Sequence, residues 1–110
     1  MRKIEQAIIE AINARRRVYL SPIDSVDFPP DTTIQARVFY HFTPIATIYT
    51  DRVIITSGGH RTVTTKSRLN AILREYTDCT IAQIDYTWYV SDSAGYQDAF
   101  EDGMSVPRIK

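Results

Sequence analysis

SGGHRTVTTKSRLNAILREY, residues Ser57 to Tyr76, is where the pattern of the chain changes from strand to helix. Before it, β-branched and aromatic residues alternate with a period of two; within it, Leu69, Ile72, Leu73 and Tyr76 fall at the i, i+3, i+4, i+7 spacing of one helical stripe. Ser67, Asn70 and Arg74 are expected on the opposite, solvent-facing side. Gly58 and Gly59 allow positive φ where the preceding strand ends, and Thr64 or Thr65 can cap the helix by accepting from a first-turn N–H. Lys66 and Arg68 sit at the positive end of the helix dipole, where acidic residues are preferred.

Two readings of that helix start follow. In the first, free N–H groups, hydroxyls and cations hold a phosphate, with Gly59, His60, Arg61, Thr64, Thr65, Lys66, Ser67 and Arg68 as the ligand-binding set. In the second, the cations are solvated first-turn residues and the threonines are caps. Lys66-Ser67 is preceded by Thr65 rather than glycine, so a nucleotide triphosphatase loop is not implied.

Working outward, residues 33–56 read as three strands, Ile34–Phe42, Ile45–Tyr49 and Arg52–Thr56, joined by short antiparallel turns at Thr43-Pro44 and Thr50-Asp51. Thr80–Tyr86 and Trp88–Ser91 read as two more, with a tight turn near Asp85. Tyr86, Trp88 and Tyr89 put rings on both faces; one set packs beneath the helices, and the other, if exposed beside basic residues, can stack on bases. Ile4, Ala7, Ile8, Ala11 and Ile12 mark a first helix over residues 2–17. Arg15, Arg16 and Arg17 then complement its C-terminal dipole, or join Lys66 and Arg68 as one basic surface. Residues 21–33, with Pro22, Pro29 and Pro30, read as an irregular loop whose Asp24, Asp27 and Asp31 lack calcium-loop spacing, and residues 92–110 as a fraying tail.

The runs GGHRTVTTKSRLNAIL, Trp88-Tyr89 and Phe100-Glu101-Asp102-Gly103-Met104, with an Ile45-Ala46 strand before them, resemble a small domain family of tailed bacteriophages. The resemblance covers Val38 to Met104. It departs from the family where His60 follows Gly59 in place of a frequent aromatic. It implies a phage accessory protein and no established chemistry; a location in the host cytoplasm is expected instead from the single cysteine and the lack of any apolar run of membrane-spanning length.

The expected architecture is one α+β domain over residues 1–110: a mainly antiparallel five-stranded sheet with two packed helices, in the order α-β-β-β-α-β-β. Thirteen basic residues balance thirteen acidic ones, which argues against a general nucleic-acid coat, yet the charges are segregated. Arg52, Arg61, Lys66, Arg68 and Arg74 form one block, and Glu75, Asp78, Asp85, Asp92, Asp98, Glu101 and Asp102 another. The single Cys79 can form no internal disulfide, and Asp78 beside it raises rather than lowers a thiol pKa. His41 and His60 come without metal-ligand spacing. No catalytic constellation, cofactor or metal is implied. The partner is a nucleic acid or nucleotide at the basic helix start, or a host defence protein inhibited through the acidic or aromatic surface in anti-CRISPR fashion. An edge strand of the sheet can also pair two copies as a homodimer.

Overall fold

A computed structural model describes all 110 residues. The elements are α1 (Lys3–Asn13), β1 (Val18–Tyr19), β2 (Asp24–Asp27), β3 (Ile34–Tyr40), β4 (Thr43–Tyr49), β5 (Arg52–Ile55), α2 (Val63–Tyr76), β6 (Thr80–Ile84), β7 (Thr87–Ser91), β8 (Gln97–Ala99) and β9 (Met104–Pro107). The fold is α+β as expected, but its strands form two antiparallel sheets: one of six in the order β1-β2-β3-β4-β5-β9, and a meander β6-β7-β8.

The inward face of the larger sheet is apolar, with Val26, Ala36, Val38, Ala46, Ile48, Val53, Ile55 and Val106 all buried in one cluster with Ile8 and Ile12 of α1 and Leu69, Ile72 and Leu73 of α2. α2 touches α1, the large sheet and β6, so it is enclosed on three sides rather than lying on a surface. The expected stripe Leu69, Ile72, Leu73 and Tyr76 is buried. Asn70, expected to face solvent, is buried too, because β6 covers it: its Nδ2 donates to Ile81 O at 3.0 Å and its Oδ1 accepts from Ile81 N at 2.7 Å. One side chain thereby takes the place of a neighbouring strand along the outer edge of β6.

α1 ends earlier than its residue pattern suggests. Arg15 adopts φ 52, and the Arg16 and Arg15 N–H groups turn back to Ala11 O at 2.9 Å and Ile12 O at 3.1 Å. That is a Schellman-type stop, with arginine where glycine is usual, and it leaves the three arginines outside the helix.

The strand count rises from five to nine: β2 lies in the segment read as loop, β8 and β9 in the one read as tail, and β1, between the first helix and that loop, pairs with β2. In β2, the inward positions are Asp24 and Val26, and a buried aspartate hides the alternation. At the other end β9 pairs with β5, and the residues beyond it are tied down: Arg108 donates to Gln35 Oε1 at 2.6 Å and Tyr49 O at 2.7 Å, and the Ile109 N–H to Tyr76 O at 2.9 Å. The first hairpin turn is His41-Phe42, not Thr43-Pro44, and the second of this type is Asp85-Tyr86. All four turn residues have positive φ, between 50 and 66°. Two-residue turns of this kind favour Asn-Gly, so an aromatic at the second position sits there against the backbone preference.

Candidate functional site

The α2 start is built differently from an open anion cradle. The cap is Thr62, ahead of the expected Thr64 or Thr65, and its Oγ1 accepts from Thr65 N at 3.2 Å. Thr65 is fully buried, its hydroxyl 3.0 Å from that of Thr62, and Thr64 is half-buried. Arg68 is only 6% exposed and points into the protein, where Glu5 and Asp24, each 2% exposed, receive it. Its Nη1 donates to Glu5 Oε2 at 2.9 Å and its Nε to Asp24 Oδ1 at 2.8 Å, while Ser67 Oγ donates to Glu5 Oε2 at 2.6 Å. Arg68 and Ser67 therefore belong to an internal ionic knot that joins α1, β2 and α2, and they are withdrawn from any ligand at the surface.

Burial by itself raises the Glu5 carboxyl pKa, but the bonds from Ser67 and Arg68, with a further one from Arg2 N–H, outweigh it and hold it below its ordinary value. For Arg68, burial works to lower the pKa, and the bonds to Asp24 and Glu5 overcome it and raise the value. No buried side-chain nitrogen or oxygen is left without a partner, so the knot meets the condition under which buried charge is tolerated.

Of the remaining expected residues, Gly59, His60 and Arg61 are exposed and Lys66 is half-buried with no carboxylate in ion-pair range. His60 borders a small hollow of about 260 Å³ with Tyr40, His41, Thr62 and Thr65. Arg61 leans the other way, its guanidinium 5.0 Å from the Phe100 ring centre and 5.9 Å from that of Trp88. Asp102 explains the glycine turn, because its Oδ1 accepts from both Ser57 N and Ser57 Oγ at 2.7 Å, and Gly103 N donates to Ile55 O at 2.7 Å. The Phe100–Met104 ending is thus the clasp that closes the Ser57–Gly59 turn.

A different surface comes together on the meander. Ile81, Trp88 and Val90 face inward, with Trp88 edge-on to Phe100 at 5.2 Å between ring centres. The register then puts Thr80, Ala82 and Ile84 of β6, Thr87, Tyr89 and Ser91 of β7, and Gln97 and Ala99 of β8 on the outer face. That face carries no charge; Ala82, Ile84, Thr87, Gln97 and Ala99 on it are exposed, and Thr80, Tyr89 and Ser91 are half-buried. At its ends stand Asp78, Asp85, Asp92 and Glu101, none of them in ion-pair range of a cation, while Asp98, opposite Val90 in the register, is exposed on the reverse side of β8. The turn between β6 and β7 holds Tyr86 at 94% exposure. Sequence charge counting locates the acids; only strand register shows that the face between them is neutral. Cys79 nearby is poor as a nucleophile: burial first, then Asp78, push its thiol pKa up.

No helix is long and apolar enough to cross a membrane. Comparison with protein-family profiles matches residues 1–107 to the Kyanoviridae Gp96 protein. The chain belongs to that family. As a Gp96-family member it is a bacteriophage protein, which supports the phage resemblance drawn from the TTKSRLNAIL run and extends it over α1, β1 and β2, outside the segment on which that resemblance rested. Searches of curated proteins and of solved structures found no match.

Proposed function

We propose that this Gp96-family chain is a non-enzymatic accessory protein that binds a protein partner through the outer face of β6, β7 and β8, and that the partner presents a basic surface, as the nucleic-acid-binding side of a host defence enzyme does. The observation that carries this reading is the neutral outer face centred on Tyr89 and flanked at its ends by unpaired carboxylates. Interfaces of this type have a desolvated centre with an aromatic anchor and a charged rim, the rim setting partner choice and encounter rate. The alternative, a phosphate-bearing ligand at the start of α2, is disfavoured by Arg68, whose charge is met by Glu5 and Asp24.

A photo-crosslinking residue placed at exposed Gln97, in protein expressed during infection, tests this. The expected result is a discrete protein adduct that survives nuclease treatment and disappears in Ile84→Arg and Glu101→Lys, which bring positive charge to a face meant for a basic partner. An adduct unaffected by either change, or one lost on nuclease treatment, removes the proposal.

A further inference from the structure

We propose that a second site, on the outer face of the large sheet, binds single-stranded nucleic acid by stacking a base between Tyr19 and the Phe39–Phe42 corner while Arg17 and its neighbours take the phosphates. The site lies away from the α2 start and from the meander, and it does not depend on the role proposed for β6–β8.

Register places Tyr19, Ser25 and Phe39 in one row across β1, β2 and β3, pointing away from the helices. Neighbouring strands are about 4.8 Å apart, so the strands bearing Tyr19 and Phe39 are separated by about 10 Å, with only the small Ser25 side chain between them. The result is a slot, and it opens into a cleft of about 330 Å³, lined by Arg17, Tyr19, Ile23, Phe39 and Phe42 among others. A volume of that size lies within the range of small-ligand sites, and the slot suits one planar ring with a partner on each side.

Two of the three rings are presented rather than packed, while Phe39 is half-buried. Tyr19 is 81% exposed and Phe42 82%. Phe42 also holds φ 63 in a two-residue turn where glycine would relieve the backbone, so folding alone gives no reason for an aromatic there.

The charge at the cleft is positive once internal pairs are subtracted. Asp27 is gripped by Arg37 through bonds of 2.9 and 2.8 Å, and Asp24 is engaged by Arg68. Arg17 at the cleft, with Arg15 and Arg16 beside it in the chain, has no carboxylate in ion-pair range. Arg15 stands with its guanidinium 5.4 Å from the Phe28 ring centre. A neutral aromatic slot next to unpaired guanidinium groups matches a ligand that is a flat ring at one end and an anion at the other, repeated along a chain. In a duplex those rings are already stacked and paired, which is why the commitment is to a single strand.

The test is fluorescence anisotropy of a labelled poly-dT or poly-dA strand with the intact protein, against the same sequence as duplex and against a nucleoside monophosphate. Expected are preference for the strand over both comparators and affinity that falls with salt. Tyr19→Ala should weaken binding on the order of ten- to hundredfold. Arg17→Glu should reduce the log–log salt slope by about 0.7 for each phosphate it no longer neutralises. Phe42→Gly is the deciding variant, since it should weaken binding while leaving the fold at least as stable to urea, and Ile84→Arg on the meander should change nothing. Equal binding of duplex, equal binding of the monophosphate, no binding at low salt, or retained affinity in the Tyr19→Ala and Phe42→Gly double variant each overturn the proposal.

Discussion

The Arg68 guanidinium meets the Glu5 carboxylate at 2.9 Å across a sequence separation of 63 residues, with both side chains almost entirely out of water. Asp24 completes the pairing from β2. The pattern that reads as an anion site at the start of α2 is, for its most specific residue, an anion site the protein fills with its own carboxylates. The ion pairs also fix how α1 lies on α2 and which strand follows β1, since each element contributes one charge.

Arg68→Ala should leave two carboxylates buried without their cation. Breaking one side of a buried ion pair costs about 3–5 kcal/mol, a large share of the stability of a domain this size. Urea unfolding followed by the fluorescence of the single, buried Trp88 measures it. A loss under 1 kcal/mol (roughly the value of a surface pair) would mean that water reaches the knot.

Acid should act through the same group. The Glu5 carboxyl is depressed in the folded state, so below its unfolded value of about 4.3 the unfolded chain binds the extra proton. Its contribution is complete above that pH and is lost as pH falls through the folded value. Asp102, lowered chiefly by the Ser57 N–H bond, adds in the same direction. Stability measured by urea midpoints should therefore decline from about pH 4.3 downward, and Glu5→Gln should flatten that decline while lowering stability at neutral pH.

How much of this is legible in the sequence depends on where a residue's partner lies. The α2 stripe, the three central strands and the β6–β7 hairpin follow local periodicity, which their own residues carry. β2 is hidden because Asp24 occupies an inward position that only Arg68, 44 residues later, makes tenable. Asn70 reads as solvent-facing because its partner is the main chain of Ile81, and a hydrogen bond to backbone leaves no mark on the partner's side-chain identity. β8 escapes notice because all three of its residues are exposed, and β9 because a single buried valine is too short a signal. For the surface sites, the rings at Tyr19, Phe42 and Tyr86 are visible as letters, but their exposure is a product of register and turn type.

Asn70→Ala should unsatisfy the Ile81 N–H and C=O together. Each buried group left unpaired costs about 1–3 kcal/mol. The same change uncovers the edge of β6, so light scattering should report self-association that the parent protein lacks at equal concentration. Asn70→Asp retains an acceptor for Ile81 N and loses the donor to Ile81 O, and should fall between the two.

Gly58→Ala and Gly59→Ala separate backbone strain from packing. Both residues have positive φ, at 66 and 82°, and at both the substitution costs roughly 1–2 kcal/mol for that reason. Only at Gly58 would the added carbon come within 3.0 Å of Thr43 Cγ2; at Gly59 it would meet nothing within 4 Å. Gly58→Ala should therefore be the more destabilising in urea. Thr43→Ser, which removes that methyl, should narrow the difference without closing it, because the Cβ of residue 43 still lies 3.3 Å from the added carbon. Equal losses at the two positions would mean that Thr43 turns aside freely.

Tyr86→Gly should make the protein more stable and less useful. At φ 66 a tyrosine is held where L-residues are disfavoured, and its ring, 94% exposed, gains no packing in return. Replacing it with glycine relieves about 1 kcal/mol of backbone cost, which a raised urea midpoint would show. If the meander is a protein-binding face, the same variant should lose the crosslink from Gln97 despite its firmer fold. The opposite pairing, a lowered midpoint with the crosslink intact, would show that the ring supports the hairpin and that the partner does not touch its tip. An opposed response of stability and binding at one exposed side chain is difficult to produce unless the residue is there for contact with something outside the chain.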